Sequence, residues 1–125
     1  MNNTVVLLIG RILLTPLFFV GGYNKLMNVA GTTGYFGKLG LPVPEVLTWL
    51  VIAVELGGAL LIVIGWKTRW VAWGLAVFTL LTALIGHKFW VDPGQTVHFL
   101  KNIAIVGGFL MLAVAGPGRI SADRS

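Results

Sequence analysis

Cysteine is absent from this chain of 125 residues, and charged side chains are scarce. Without a thiol, the chain cannot form a disulfide, a thiolate metal site or a thiol–disulfide couple of its own. Charged residues make up 10% of the sequence, against about a quarter in soluble domains, whereas 57% of the residues are hydrophobic. This composition excludes an ordinary soluble domain and predicts one compact membrane unit.

Acidic residues are especially few, since four Asp and Glu stand against nine Lys and Arg, for a net charge of +5. The cations are spread singly, and there is no basic run of the kind that follows a nucleic-acid backbone. Single cations in a membrane protein usually lie at helix ends. We therefore expect a lipid bilayer as the surrounding partner and no nucleic acid.

Four long apolar runs predict four transmembrane helices, since about 20 apolar residues cross a hydrocarbon core of roughly 30 Å. They cover residues 4–23, 46–65, 71–86 and 97–115. The first run lacks the basic start and small-residue cleavage site of a signal peptide, so we expect it to be retained. Pro16 should kink it, with the freed backbone groups satisfied by neighbouring helices. The predicted fold class is an all-α integral membrane protein, a four-transmembrane-helix bundle forming a single domain over residues 1–125.

A connector over residues 24–45 joins the first two runs and contains a short amphipathic stretch. Aromatic and apolar side chains around Lys38 are typical of a short helix lying at the membrane interface. Pro42 and Pro44 should end this helix and give an extended start to the second span. The bundle is therefore expected to carry a short interfacial segment between its first two spans.

Small residues spaced four apart occur on three of the predicted spans. They are Ala53 and Gly57, Ala72 and Ala76, and Ala104 and Gly108. This spacing lets helix backbones approach closely in lipid, where apolar side chains gain little by leaving equally apolar tails. The close approach fits packing inside one bundle or against a second copy, so a homo-oligomer stays open.

Arg11 and Glu55 are charged residues well inside predicted spans. Counting along the helices puts Arg11 roughly 12 Å and Glu55 roughly 15 Å from the same membrane face. A charge at the membrane centre costs about 2.5–3.5 kcal/mol to insert, so a partner is expected. The simplest prediction is an Arg11–Glu55 ion pair. Three roles stay open: fixing the register of two helices, binding a ligand or protons, or Arg11 reaching the interface alone.

A second polar group gathers at the opposite ends of the spans. It comprises Asn24, Lys25, His87, Lys88, His98, Lys101 and Asn102. One interpretation is interfacial anchoring, and the other is a cationic pocket for an anionic or quinone-like head group, with Glu55 deeper in the bundle. His87 and His98 lack the helical i, i+4 spacing and carboxylates are few, so no metal site is expected.

These two groups supply the predicted ligand-binding residues, and no catalytic residue is predicted. The candidates are Arg11, Lys25, Glu55, His87, Lys101 and Asn102.

The distribution of cations says little about membrane orientation. The termini and the hairpin at residues 66–70 share one side, which carries Lys67, Arg69, Arg119 and Arg124. The other side carries Lys25, Lys38, Lys88 and Lys101. Arg11 tips the balance toward cytoplasmic termini, because cytoplasmic loops carry an excess of Lys and Arg.

Several longer segments stand in a specific order along the chain. They are GRILL around Arg11, GYNKL around Lys25, LGLPVP at 39–44, VELGGALLIVIGWKTR around Glu55, GHKFW at 86–90 and FLKNIAIVGGFLMLAVAGPGRIS at 99–121. In these segments the chain resembles the DoxX family of small four-helix bacterial inner-membrane proteins. The resemblance implies a multi-pass bundle in the inner membrane. It also implies an association with redox enzymes, because the family takes its name from a link to thiosulfate:quinone oxidoreductase.

No catalytic signature accompanies these segments, since the sequence has no G-x-S-x-G, Walker loop or H-E-x-x-H motif. We therefore expect a non-enzymatic membrane subunit or scaffold, associated with a quinone-linked redox partner. Two alternatives stay open. One is a quinone- or lipid-binding oxidoreductase subunit, and the other is a small transporter or proton pathway through Glu55. No cofactor motif is evident, and a quinone is the cofactor that the resemblance leaves open.

Overall fold

The computed structural model describes residues 3–123, in which six α-helices and one 3-10 turn follow one another without a β-strand. The helices are α1 (Asn3–Leu13), α2 (Pro16–Leu26), α3 (Val29–Lys38), α4 (Pro44–Ile64), α5 (Thr68–Gly86) and α6 (Thr96–Ala115), and the 3-10 turn is Pro93–Gln95. Four stretches are long and apolar enough to cross a membrane: Asn3–Leu26, Pro44–Ile64, Thr68–Gly86 and Pro93–Ala115. The all-α four-helix membrane fold is confirmed. Arg124, which entered the charge count, lies outside the described residues.

Pro16 interrupts the first span as predicted, and the break is repaired locally. Proline has no N–H, so the carbonyl of Ile12 loses its normal helical donor. The backbone N–H and the hydroxyl of Thr15 both donate to that carbonyl, at 3.1 and 2.7 Å. The expectation that neighbouring helices satisfy the freed groups is therefore wrong, because the residue before the proline supplies the missing donors.

The short helix between the first two spans is confirmed as α3, which is fastened to α4. The hydroxyls of Thr33 and Thr48 lie 2.8 Å apart, and Phe36 is buried. The expected extended start to the second span is wrong at one residue. Val43 adopts the left-handed conformation, with φ of 45°, because the chain turns there directly into Pro44 at the first position of α4.

The spans pack as two pairs, α2 on α4 and α5 on α6. Between the pairs, an apolar cluster fills the half of the bundle near the α4–α5 hairpin. Its buried members are Phe18, Ala59, Ile62, Ala72, Leu75, Ala76, Phe109, Leu112 and Ala113. Gly58 permits the close contact of α4 with α5, since a Cβ there would lie 2.9 Å from Leu75. The other half of the bundle is not filled by this cluster.

The small residues divide between the inside and the outside of the bundle. Ala72 and Ala76 are buried in the apolar cluster, and a Cβ on Gly108 would lie 3.1 Å from Leu14. Ala53 and Gly57 are exposed, and a Cβ on Gly57 would meet nothing within 4 Å. Close packing within one chain thus accounts for part of the pattern, and a homo-oligomer stays a prediction.

The segment after α6, residues 116–123, folds back over the ends of α4 and α5, and we call it the C-terminal strap. The backbone N–H groups of Ala122 and Asp123 donate to the carbonyls that end α4, at 2.8 and 2.9 Å. The carboxylate of Asp123 accepts the N–H groups of Lys67 and Thr68, both at 2.8 Å. Asp123 therefore caps the start of α5 and closes the terminal end of the bundle.

Candidate ligand-binding cavity

Arg11 binds the C-terminal strap and does not pair with Glu55. Its guanidinium is 2% exposed and donates to the carbonyl oxygens of Pro117, Ile120 and Val63, at 2.6, 2.9 and 3.0 Å. Val63 lies in the last turn of α4, where carbonyls lack helical partners and carry partial negative charge. The predicted Arg11–Glu55 ion pair is therefore wrong, and Arg11 joins the strap to the end of α4.

Side-chain direction explains why the two charges miss each other. Their similar depths follow from counting along the backbone, but side chains in a helix lean toward its N-terminus. Helices α1 and α4 cross the bundle in opposite directions. Arg11 therefore leans toward the terminal face, and Glu55 leans toward the opposite face.

Glu55 pairs instead with Lys25 at the end of α2. The Lys25 Nζ lies 2.6 Å from Glu55 Oε1, which makes an ion pair by distance although the angles are not those of a hydrogen bond. The Glu55 side chain is 9% exposed and that of Lys25 is 30% exposed. Gly21 makes room for the pair, because a Cβ there would lie 2.6 Å from Glu55 Oε2. Lys25 thus leans into the bundle.

The ion pair borders a cavity of about 570 Å³ in the half of the bundle that the apolar cluster leaves open. Its wall is mostly apolar and includes Leu17 of α2, Phe36 of α3, Val51 of α4 and Phe78 of α5. Small-molecule sites typically have volumes of about 300–1,000 Å³ and combine an apolar wall with a few placed polar groups. The cavity therefore has the size and composition of a ligand site.

Five of the six predicted binding residues line this cavity, and Arg11 does not. They are Lys25, Glu55, His87, Lys101 and Asn102. Asn102 is 7% exposed, whereas Lys101 is exposed. The fold therefore brings these side chains together from four helix segments that are distant in sequence. That they bind a ligand stays a prediction.

His87 at the end of α5 is held by the loop that leads into α6. Its Nδ1 lies 2.8 Å from the side-chain oxygen of Gln95, and its ring stacks on that of His98 with centroids 5.3 Å apart. Phe89 and Phe99 pack nearby, with centroids 4.9 Å apart. These ring contacts fasten the loop to α6 and fix His87 in the cavity wall.

Sequence reasoning missed Thr79 and the contribution of α3. Helix α3 adds Tyr35, Phe36 and Leu39 to the wall. Thr79 also lines the cavity, is 3% exposed, and its hydroxyl has no hydrogen-bond partner in the part of the chain that the structure describes. Counting depth could have found it. Thr79 is roughly 16 Å from the start of α5, and Glu55 is roughly 14 Å from the end of α4, which the hairpin places at the same face.

Two exposed leucines, one on α4 and one on α5, border the cavity. Leu50 and Leu81 both line it, and they are 56% and 51% exposed. The two helices contact closely at Gly58 and Leu75, nearer the hairpin, and the cavity lies beyond that contact.

Comparison with known proteins decides the family. The DoxX family model matches residues 6–88. The chain belongs to the DoxX family. This DoxX protein is 42% identical to inner membrane protein YphA of Escherichia coli K12, over 96% of this chain and 89% of YphA. It is 43% identical to inner membrane protein YqjF of the same organism, over 96% of this chain and 91% of YqjF.

A third relative is named as an enzyme. CatD of Bacillus subtilis, named as a candidate oxidoreductase, is 36% identical to this DoxX protein over 62% of this chain and 56% of CatD. No solved structure matches the chain significantly. The family resemblance drawn from the sequence segments is confirmed, and the names of YphA and YqjF agree with the four membrane spans.

Proposed function

We propose that this DoxX protein is a non-catalytic membrane subunit that holds a lipid-soluble molecule of the quinone class in its cavity for a redox partner. The observation that carries the proposal is the cavity of about 570 Å³, whose apolar wall adjoins the Lys25–Glu55 ion pair. An apolar wall suits a hydrocarbon tail, and the few polar groups suit an oxygen-bearing head. The exposed leucines at its side, Leu50 and Leu81, suit uptake from the bilayer.

Two observations support a redox partner: the composition of this chain and the name of one of its relatives. With no cysteine and no catalytic motif in the sequence, electrons for a bound quinone would come from another protein. The relative CatD, named as a candidate oxidoreductase, supports the same direction. Affinity purification in mild detergent should reproducibly retain a redox enzyme. Replicate purifications that share no such enzyme would remove the partner from the proposal.

Filling the cavity tests ligand binding directly. Val51→Trp should block the cavity, because Val51 lines it, whereas Val77→Trp places the same bulk on an exposed position outside the lining. Decylubiquinone at about 100 times its dissociation constant should stabilise the wild-type protein by about 2.7 kcal/mol. We expect thermal unfolding to show this shift in the wild type and in Val77→Trp, and no shift in Val51→Trp. An equal shift in all three proteins would place the probe elsewhere.

A proton pathway through Glu55 is less well supported by the geometry. Toward the terminal face, the space beyond Glu55 is filled by the apolar cluster around Ile62, Leu75 and Phe109. A transmembrane path would have to open that layer. We expect proteoliposomes with Glu55→Gln to conduct protons at the same rate as wild type. A clear loss of conductance in the variant would favour transport over binding.

We further propose that the protein lies in the bacterial inner membrane with both termini in the cytoplasm. Glu55 neutralises the charge of Lys25, whereas Arg11 binds neutral carbonyl groups at the terminal face. The remaining net positive charge therefore favours that face as cytoplasmic. The chain has no cysteine, so single substitutions can be labelled cleanly. Lys67→Cys should be protected from an impermeant maleimide in intact spheroplasts, and Val91→Cys should react. The reverse result would invert the topology.

A further inference from the structure

We infer that Thr79 and Asn102 form a second polar subsite in the cavity, and that this subsite selects a neutral carbonyl or hydroxyl head over an anionic one. The inference rests on the proposed function and deepens it by naming the groups that choose the ligand. The Lys25–Glu55 pair belongs to the α2–α4 side of the bundle, whereas Thr79 and Asn102 belong to the α5–α6 side. A head group between the two pairs of helices would meet polar groups on both sides.

Thr79 carries a buried hydroxyl that has no partner within residues 3–123. It lines the cavity, is 3% exposed, and its Oγ1 lies without a hydrogen bond among residues 3–123. Buried polar groups are normally hydrogen-bonded, so an orphan of this kind needs an explanation. Thr82, one turn further along and also in the wall, is different because its hydroxyl donates to the Thr79 carbonyl at 2.9 Å. Of these two threonines, Thr79 is the one free to bind a ligand.

Asn102 adds an amide to the same side of the cavity. It is 7% exposed and lines the cavity, and no side-chain hydrogen bond of Asn102 is found in the described range 3–123. An amide both donates and accepts, as a hydroxyl does. Thr79 and Asn102 together can therefore donate to a carbonyl oxygen or accept from a hydroxyl.

The charge of the cavity argues against an anionic head. Glu55 already neutralises Lys25, at 2.6 Å, so residues 3–123 leave no unpaired cation at the buried end of the cavity. An anion there would lie beside the Glu55 carboxylate in a medium of low dielectric constant, where an unpaired charge is strongly disfavoured. Lys101 is cationic and lines the cavity, but it is exposed near the start of α6, where its long side chain can reach interfacial water. A neutral oxygen-bearing head meets no such penalty.

Three probes with matched tails test this inference. Decylubiquinone carries carbonyls, decylbenzene carries none, and decyl phosphate carries an anion. Dissociation constants are measured in nanodiscs for the wild type, Thr79→Val, Thr79→Ser, Asn102→Leu and the control Thr32→Val. The Thr32 hydroxyl donates to the Asn28 carbonyl at 2.9 Å, and Thr32 lies outside the cavity lining. We expect decylubiquinone to bind the wild type most tightly. Thr79→Val and Asn102→Leu should each weaken it about five- to tenfold, as expected for one hydrogen bond. Thr79→Ser should retain decylubiquinone binding because it keeps the hydroxyl, Thr32→Val should keep wild-type affinity, and decylbenzene should not respond to Thr79→Val.

The possible results distinguish failure of the Thr79–Asn102 subsite from failure of the proposed function. Equal binding of decylubiquinone and decylbenzene, unaffected by Thr79→Val, overturns the subsite and leaves the cavity as a binding site for apolar molecules. Tightest binding of decyl phosphate overturns the selection for a neutral head. If none of the probes binds the wild type, the proposed function fails as well. Should Thr79→Val not fold, Thr79→Ala and Asn102→Leu decide the same comparison.

Discussion

Lys25 and Glu55 lie 2.6 Å apart at the border of the cavity, although Lys25 stands at the end of its span and Glu55 near the middle of its own. The lysine is long enough, and leans in the right direction, to bring its cation down to the carboxylate. Glu55 is therefore compensated from α2 within the membrane half that holds the cavity. Arg11, at a comparable depth along the backbone, is compensated by carbonyls at the other face.

This arrangement predicts which pair of charges is energetically coupled. In double-mutant cycles, Lys25→Ala and Glu55→Ala should show a coupling energy of about 0.5–3 kcal/mol, since the two side chains are in contact. Arg11→Ala and Glu55→Ala should add within about 0.5 kcal/mol, because they share no partner. Unfolding free energies in mixed micelles measure both cycles. A coupled Arg11–Glu55 cycle beside an additive Lys25–Glu55 cycle would contradict the structure.

Gly21→Ala should disturb the ion pair through a single methyl group. The added Cβ would lie 2.6 Å from Glu55 Oε2, so the carboxylate must move. Gly57→Ala is the matched control, because a Cβ there meets nothing within 4 Å and alanine favours the helix by about 0.5–1 kcal/mol over glycine. We expect thermal unfolding to show a lower midpoint for Gly21→Ala and an unchanged or higher one for Gly57→Ala. Equal midpoints would mean that the pair shifts without cost.

Arg11→Lys should destabilise the bundle although the charge is kept. One ammonium cannot reproduce the fork of donors that reaches three carbonyls at 2.6–3.0 Å. The expected loss is about 1.5–3 kcal/mol, the scale of a lost hydrogen bond to a charged group. Limited proteolysis should cut the strap faster in this variant, and the exposed Lys38→Arg exchange should leave both unfolding and cleavage unchanged. A wild-type cleavage rate in Arg11→Lys would show that the strap is held by other contacts.

Asp123 should make stability fall in mild acid. Burial by itself would raise the pKa of this carboxyl, but the N–H groups of Thr68 and Lys67 outweigh burial and hold the pKa below its ordinary value. The unfolded chain therefore binds this proton at a higher pH than the folded chain does. The contribution of Asp123 is complete above the ordinary pKa and disappears as the pH falls through the lowered one.

Unfolding measured between about pH 6 and about pH 3 checks this dependence. The loss in wild type should be about 0.5–1 kcal/mol, at the low end for helix caps because the carboxylate is largely solvated. Asp123→Ala should remove this part of the acid dependence. Asp92→Ala is the control, since Asp92 accepts one N–H, from Gly94, in an exposed turn. Identical pH profiles for wild type and Asp123→Ala would exclude the cap.

The four spans could be predicted for two reasons. Each apolar run is long enough to cross the hydrocarbon core, and in lipid the backbone of such a run must form its own hydrogen bonds, which a helix does. The positions where prediction failed depend on side chains. Thr15 satisfies the carbonyl freed by Pro16, and nothing in the apolar pattern of the span indicates that it would. Arg11 and Glu55 share a depth, but the opposite directions of their helices separate their charged ends.

The sequence predicts which polar residues share one end of the bundle, but it does not predict the cavity between the helices. Lys25, His87, Lys101 and Asn102 fall at the same ends of successive spans, so topology alone groups them. Depth along α5 points to Thr79, but the sequence does not show which hydroxyl has a partner. Among residues 3–123, the Thr82 hydroxyl finds a carbonyl and the Thr79 hydroxyl finds none. The space itself depends on how α4 and α5 pack beyond Gly58, which sequence spacing does not fix.

The binding of Arg11 to the strap also has a consequence for biogenesis. Ribosomes deliver Arg11 to the membrane with the first span, but two of its three acceptors, the carbonyls of Pro117 and Ile120, follow the last span. Until the strap is made, the donors that it will bind must be satisfied by water, lipid phosphate or the insertion machinery. A nascent chain ending at Ala115 would contain all four spans and the Val63 carbonyl, and it would still lack the carbonyls of Pro117 and Ile120. Cellular proteolysis should therefore distinguish this truncated chain from the complete one.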